Sequence, residues 1–249
     1  GDDTVVGGDG DMLSIGGNHL MHTLRRNVDL QILIFNNEIY GLTKGQYSPT
    51  SRVGTRSPST PQGSIEAPVS AALFALGAGA RFVARSVDTD QKHLPEMFKR
   101  AHAHRGASML EIFQNCIVYN DGVFDSFKAP AAAADRQVRV VHGEPMIFGK
   151  EKNRGLCLRA NEVEIKSVTI GEEGVTAEDV LVHDETNRIM ANLLASMDPD
   201  TLPVALGVLY CDPAPTYEKG VLEQVEQVRQ KKPGEDLNKL LRSGHTWTV

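Results

Sequence analysis

The sequence predicts an α/β fold in which helices flank a parallel sheet, with a smaller α+β extension after it. A strand, a glycine-rich turn, a helix and a second strand occupy the first part of the chain. This is the βαβ unit from which parallel sheets are built. Strand and helix patterns then alternate as far as Cys116, beyond which the apolar runs become short and irregular.

The first βαβ unit follows from its apolar periodicity. The β-branched run at 4–6 predicts a strand that ends in the sequence GGDG at 7–10. Apolar residues at helical spacing predict one helix over 12–26, in spite of two glycines within it. The nearly continuous apolar run LQILIF at 30–35 predicts a second strand that is covered on both faces.

A long loop separates this unit from the next elements. Residues 36–63 are rich in Gly, Ser, Thr and Pro, and loops of this length in compact domains are usually functional. The elements that follow are predicted as a helix over 68–77, a strand over 81–85, a helix over 90–104 and a strand over 107–113.

The pattern after Cys116 predicts the extension, and we place the boundary between residues 128 and 129. The alanine-rich segment 130–135 predicts a connector. Short strands are predicted over 137–141, 146–148, 163–168 and 202–210, and helices over 186–196 and 218–229. We expect residues 1–128 to form the main α/β domain and residues 129–249 to pack on it or on a partner chain.

Composition and charge exclude several classes of protein. The net charge of the 249 residues is −6 and the sequence contains no basic block, which argues against nucleic-acid binding. No apolar run approaches the ~20 residues of a membrane span. Three widely spaced cysteines, Cys116, Cys157 and Cys211, favour a reducing, cytoplasmic compartment. Because the chain opens on Gly1 instead of Met, we expect the full-length protein to begin upstream.

Side chains that could bind a cation follow the first two predicted strands. Asp9 comes at the end of the first strand and Asn37 at the end of the second. The carboxyl ends of parallel strands meet at one edge of a sheet, where α/β proteins bind ligands. Carboxylate and amide oxygens suit Mg²⁺, which usually also takes phosphate oxygens. Gly8 and Gly10 would let the backbone approach a diphosphate, towards which the next helix directs its N-terminus.

The Gly-Asp-Gly motif alone leaves a structural alternative open, because it is also a common turn. It is not the Gly-x-Gly-x-x-Gly fingerprint of dinucleotide-binding proteins. The segment 9–11 resembles the start of a calcium-binding loop, but Leu20 stands where such a loop requires a closing Glu.

The longer sequences around Asp9 and Asn37 are more specific than the Gly-Asp-Gly motif alone. The sequence GDGDMLSIGGNH at 8–19 and the sequence NNEIYGLTKGQYSPT at 36–50 resemble the thiamine diphosphate motif of one enzyme family. This family comprises the β subunits of 2-oxoacid:ferredoxin oxidoreductases, and the 2-oxoglutarate type is the most similar. The resemblance covers residues 1–128 and implies a thiamine diphosphate-binding fold.

The resemblance implies a role for individual residues. It implies Mg²⁺ ligation by the Asp9 carboxylate, the Asn37 side-chain oxygen and the Ile39 backbone carbonyl. The implied cofactor contacts are Gly8, Gly10, Asp11, Gly41, Leu42 and Gln46. It also implies that Lys44, in the loop that resembles the family's active-site loop, attracts the carboxylates of the substrate. The alternative for Lys44 is an ordinary solvated surface lysine.

Cys116 follows the strand predicted over 107–113. The resemblance implies that it is the fourth ligand of a 4Fe–4S cluster whose other three cysteines lie upstream of the Gly-Asp-Gly motif. Such a cluster normally needs four thiolates, so we expect an intact cluster only in the full-length protein. The alternative is a small buried hydrophobic residue, which is our interpretation of Cys157 and Cys211.

The implied function is oxidative decarboxylation of a 2-oxoacid, with coenzyme A as acyl acceptor and ferredoxin as electron acceptor. No residue of this chain is an evident source of the glutamate that activates the cofactor, so we expect a partner α subunit to supply it. Three alternatives remain: a non-oxidative thiamine diphosphate enzyme, a non-catalytic binding or assembly subunit, and a plain α/β module with a structural turn.

Overall fold

The structure is a computed structural model, and it describes residues 3–159, 161–231, 236–245 and 247. Gly1, on which the expectation of an upstream segment rests, lies outside the described residues. No helix within these ranges combines the length and the apolar character that crossing a bilayer requires.

The described strands form two sheets. In chain order they are β1 Thr4–Gly8, β2 Gln31–Asn36, β3 Phe82–Val87, β4 Ser108–Phe113, β5 Gln137–Val140, β6 Ile147–Phe148, β7 Arg154–Arg159, β8 Glu164–Thr169 and β9 Val204–Cys211. A six-stranded sheet has the order β1-β2-β4-β3-β9-β5, and a three-stranded sheet has the order β6-β7-β8. In the large sheet β1, β2, β4 and β3 are parallel, whereas β9 runs antiparallel to β3 and parallel to β5.

The described helices include ones that pack on each face of the large sheet. They are α1 Asp9–Leu13, α2 Gly17–Arg26, α3 Ala71–Gly77, α4 His93–Ala103, α5 Asp125–Lys128, α6 Pro130–Arg136, α7 Arg188–Ala195, α8 Tyr217–Lys231 and α9 Leu237–Leu241, with a short 3-10 helix at Ala177–Asp179. One core joins α2, α3 and α7 to one face of the sheet, and a second core joins α4 to the other. The predicted α/β class, a parallel sheet flanked by helices, is therefore confirmed.

Two predicted elements are wrong in detail, and one strand was missed. The single helix predicted over 12–26 is two helices, because the chain turns between them and the Gly16 N–H bonds to the Asp11 carbonyl at 2.7 Å. A Cβ on Gly16 would lie 2.6 Å from that same oxygen, so the turn requires glycine. The predicted connector at 130–135 is helix α6, and strand β7 was not predicted at all.

The predicted boundary at 128/129 runs through the large sheet. Strands β5 and β9 come from the second segment, and β9 pairs directly with β3 from the first. The smaller sheet of β6, β7 and β8 joins the same core through Leu156 and Ile165. The division into two domains stays a prediction, and the extension contributes to the main sheet as well as to its own.

Candidate metal centre

The parallel pairing of β1 and β2 brings Asp9 and Asn37 to the same edge of the sheet. The register aligns Gly8 with Phe35, so that the residues after both strand ends are neighbours. The Asn37 backbone N–H lies 3.3 Å from Asp9 Oδ1. The two residues that the sequence analysis assigned to one cation are thus in direct contact.

The Asn37 amide, the Asp9 carboxylate and the Ile39 carbonyl converge on one point. One end of the amide lies 2.8 Å from the Ile39 oxygen and 3.2 Å from Asp9 Oδ1. If the amide nitrogen is at that end, it donates to both of these oxygens. If the amide oxygen is at that end, three oxygens face one another, and they repel unless a cation lies between them. Adjacent ligands of octahedral Mg²⁺ at 2.0–2.1 Å are about 2.9 Å apart, so the spacing fits this ion.

A left-handed turn at Glu38 makes this convergence possible. Glu38 has φ of 54°, a conformation that is uncommon for a residue with a side chain. The turn is held from both sides, because Ser51 Oγ donates to the Glu38 carbonyl at 2.5 Å and Asn120 Nδ2 donates to the Asn37 carbonyl at 2.9 Å. Burial raises the pKa of the Glu38 carboxyl to about 7, an effect that Arg52 partly opposes.

The Asp9 side chain is completely buried. Its Oδ2 accepts hydrogen bonds from Ser48 Oγ at 2.5 Å and from Thr50 Oγ1 at 2.6 Å. Burial raises the pKa of Asp9 above its ordinary value, and these hydrogen bonds offset part of the rise. No ion pair within the described ranges involves Asp9. Since a buried carboxylate normally has a cationic partner, the donor set fits a bound divalent cation.

Gly10 is required by the packing of Tyr40. A Cβ on Gly10 would lie 2.2 Å from the Tyr40 ring, and the Tyr40 hydroxyl donates to the Gly10 carbonyl at 3.1 Å. A Cβ on Gly8, in contrast, would have no described neighbour closer than 3.9 Å. The backbone at Gly8 is therefore open to a ligand. Asp11, also assigned to the cofactor, is exposed.

The loop that was matched to an active-site loop folds back beside the candidate metal centre. The Tyr40 N–H donates to the Gln46 carbonyl at 2.8 Å, while the Gln46 side chain is hydrogen-bonded to Thr43. Lys44 has φ of 73° and an exposed side chain, and no ion pair between described residues involves it. Leu42 is 99% exposed.

Cys116 lies next to this loop. A Cβ on Gly41 would be 4.0 Å from Cys116 Sγ, and the thiol is half-buried and free. Within the described ranges no group of three or more His, Cys, Asp or Glu side chains could hold a metal. Among the described residues, Cys116 therefore belongs to no such group.

A buried chain of polar groups leads away from the candidate metal centre. Asn36 Nδ2 donates to Glu111 Oε1 at 2.8 Å, and its Oδ1 lies 3.1 Å from Thr50 Oγ1. Glu111 in turn accepts from Arg85 Nε at 2.8 Å. These side chains line one wall of a cavity of about 500 Å³ at the carboxyl edge of the sheet.

Sequence reasoning missed the residues that surround and hold Asp9 and Glu38 at the candidate metal centre. Ser48 and Thr50 lie within the quoted motif but received no role, and Ser51 and Asn120 were not considered. The available signal was a run of hydroxyl side chains around Pro49, because a buried carboxylate requires hydrogen-bond donors.

Comparison with known proteins agrees with this geometry. Residues 3–112 match the model of the thiamine pyrophosphate enzyme, C-terminal TPP binding domain. The chain is 42% identical over 248 residues to the 2-oxoglutarate oxidoreductase subunit KorB of Mycobacterium tuberculosis, covering 98% of this chain and 66% of that protein. It is 45% identical over 117 residues to the 2-oxoacid:ferredoxin oxidoreductase subunit beta of Saccharolobus solfataricus, covering 47% of this chain and 38% of that protein.

A solved structure is also similar. It is the 2-oxoglutarate:ferredoxin oxidoreductase from Magnetococcus marinus with 2-oxoglutarate, coenzyme A and succinyl-CoA bound. The TM-score is 0.70 at 29% identity, and the match covers 98% of this chain and 68% of that one.

Fold and site together define a thiamine pyrophosphate-binding domain, thiamine pyrophosphate being another name for thiamine diphosphate. More narrowly, the chain belongs to the β subunits of 2-oxoacid:ferredoxin oxidoreductases. It spans just under two thirds of the mycobacterial relative and well under half of the archaeal one.

Proposed function

We propose that this chain is the thiamine diphosphate-binding part of a β subunit that oxidatively decarboxylates a 2-oxoacid, with 2-oxoglutarate as the substrate. Electrons pass to ferredoxin and the acyl group passes to coenzyme A. The observation that carries the proposal is the convergence of the Asp9 carboxylate, one end of the Asn37 amide and the Ile39 carbonyl at a spacing that fits Mg²⁺. The relatives that act on 2-oxoglutarate support the choice of substrate.

In this proposal the chain binds and orients the cofactor. Asp9, Asn37 and the Ile39 carbonyl hold Mg²⁺, and Mg²⁺ holds the diphosphate. Gly8 and Gly10 admit the diphosphate, with Asp11, Gly41, Leu42 and Gln46 as the further cofactor contacts. When bound, thiamine diphosphate supplies the electron sink that allows a 2-oxoacid to lose CO₂.

Lys44 and Cys116 have roles beyond cofactor binding in this proposal. Lys44 attracts the carboxylates of the substrate, for which its exposed ammonium is available. Cys116 completes a 4Fe–4S cluster with three cysteines upstream in the full-length protein. A partner α subunit supplies the glutamate that activates the cofactor, and the complex works in the cytoplasm.

Calorimetry on the full-length protein with its partner subunit tests the cofactor assignment. Asp9→Ala removes the anionic ligand, so we expect Mg²⁺-dependent binding of thiamine diphosphate to be lost. Glu66→Ala, in an exposed loop pair with Tyr47, is the matched carboxylate control. Unchanged affinity of the Asp9 variant would overturn the site.

The reaction is tested by assaying 2-oxoglutarate with coenzyme A and ferredoxin. Release of CO₂ together with reduced ferredoxin is expected of the oxidative enzyme. Release of CO₂ without electron transfer would indicate a non-oxidative enzyme, and no CO₂ at all would indicate a binding or assembly subunit.

A further inference from the structure

Asp9 receives hydroxyl donors on only one of its two oxygens. Ser48 Oγ and Thr50 Oγ1 both donate to Oδ2, at 2.5 and 2.6 Å. Oδ1 is the atom that faces Asn37. The carboxylate is therefore fixed in one rotation, with its second oxygen directed at the Asn37 amide and away from the two hydroxyl groups.

The two donors are themselves fixed. Ser48 Oγ lies 3.1 Å from Thr50 Oγ1, and the Ser48 N–H donates to Ser51 Oγ at 2.8 Å. All three hydroxyl residues are buried. Thr50 also contacts Asn36, which is bonded to the buried Glu111. The hydroxyl groups therefore belong to a rigid part of the loop.

We propose that Ser48 and Thr50 are positioning residues that hold Asp9 as a single-oxygen ligand and thereby select Mg²⁺. The inference rests on the proposed function and deepens it. Mg²⁺ demands near-ideal octahedral geometry, whereas Ca²⁺ accepts variable geometry and carboxylates that bind through both oxygens. A carboxylate released from its two hydroxyl donors can rotate, which harms Mg²⁺ binding more than Ca²⁺ binding.

The test uses Thr50→Val and Ser48→Ala in the full-length protein with its partner subunit. Valine keeps the shape of threonine without the hydroxyl. The concentrations of Mg²⁺ and of Ca²⁺ that give half-maximal thiamine diphosphate binding are measured by calorimetry. Residues that hydrogen-bond to metal ligands contribute about 10- to 100-fold to metal affinity. We therefore expect the half-maximal Mg²⁺ concentration to rise by that factor and the half-maximal Ca²⁺ concentration to rise less.

Two further variants serve as controls. Thr55→Val removes a hydroxyl in the same loop that donates to the Arg52 carbonyl and not to Asp9, so its Mg²⁺ requirement should match the wild type. Thr50→Ser retains the donor and should restore the Mg²⁺ preference.

The outcomes separate this inference from the proposed function. In one outcome the wild type binds thiamine diphosphate in an Mg²⁺-dependent way, but Thr50→Val and Ser48→Ala raise the required Mg²⁺ and Ca²⁺ concentrations equally. This outcome would overturn the positioning role alone. No effect of either substitution would do the same. Wild-type protein without Mg²⁺-dependent binding would overturn both.

Discussion

Arg85 and Glu111 form a buried ion pair on neighbouring strands at the carboxyl edge of the sheet. Strands β3 and β4 pair the two residues directly, and Arg85 Nε lies 2.8 Å from Glu111 Oε2. Asn36 donates to the other carboxylate oxygen, and Ser70 Oγ lies 3.3 Å from Arg85 Nη2. The pair thus connects the wall of the cavity to the residues around Asp9.

We predict that Glu111→Ala lowers the free energy of unfolding by about 3–5 kcal/mol, because it leaves the buried Arg85 charge without its partner. Urea unfolding followed by circular dichroism measures the change. The double variant Arg85→Met with Glu111→Leu removes both charges and should recover most of the loss. A loss under 1 kcal/mol for the single variant would contradict the prediction.

We predict that Gly10→Ala weakens thiamine diphosphate binding at least tenfold. The new Cβ would lie 2.2 Å from the Tyr40 ring, so Tyr40 must move and the loop that it anchors moves with it. Gly17→Ala is the matched control, since among the described residues nothing beyond its chain neighbours and its own helix backbone lies within 4 Å of its Cβ position. Alanine also favours a helix over glycine. Equal affinities of the two variants would refute the clash argument.

We predict that Lys44→Asn raises the KM for 2-oxoglutarate about tenfold and leaves folding stability unchanged or slightly improved. Asn removes the charge but tolerates the left-handed backbone that Lys44 adopts at φ of 73°. Lys44→Arg keeps the charge and serves as the control in steady-state assays of the complex. If Lys44 is only solvated, the Asn variant will have the KM of the wild type.

We predict that Cys116→Ser in the full-length complex removes the iron–sulfur cluster of the β subunit, because a cubane cluster needs its fourth thiolate. Iron analysis and the visible absorption spectrum measure this. Cys157→Ser is the control, since Cys157 lies in β7 of the small sheet. An unchanged iron content would mean that Cys116 has a structural role.

Acidification should destabilise the protein through His93. Burial lowers the pKa of the His93 ring to about 4, with a smaller contribution from Arg139, whereas in the unfolded chain it titrates near 6.5. The unfolded state therefore takes up the proton first, and stability that is present above pH 6.5 is lost as the pH falls towards 4.

The effect is measured by comparing urea unfolding of the wild type and His93→Gln at pH 7.5 and pH 5. We expect the wild type to lose on the order of 1–2 kcal/mol more than the variant, an amount limited by the partial exposure of the ring. Equal losses in the two proteins would show that His93 does not carry this dependence.

Local patterns were sufficient to predict the βαβ unit and the proximity of Asp9 to Asn37. A helical segment connects the β-branched run at 4–6 to the apolar run at 30–35, and such a connection makes neighbouring strands parallel. The carboxyl ends of both strands therefore lie at one edge of the sheet. The break at Gly16 was missed because glycine was treated as a weak helix former and not as the site of a close backbone contact.

The hydroxyl groups that donate to Asp9 could not be predicted in this way. Ser48 and Thr50 lie in a loop without periodicity, and only its tertiary path directs their side chains to Asp9. Strand β7 was missed for a related reason, since its own sequence, RGLCLR, has a weak strand pattern and its pairing with β6 and β8 is set by the tertiary fold.

The position of β9 has a consequence for biosynthesis. This strand lies between β3 and β5, yet it is made after every other strand of the large sheet. A nascent chain on the ribosome therefore leaves one side of β3 unpaired until residue 211 has emerged. Premature termination before β9 would expose this edge to neighbouring polypeptides, and chaperone capture or aggregation of the fragment follows from it.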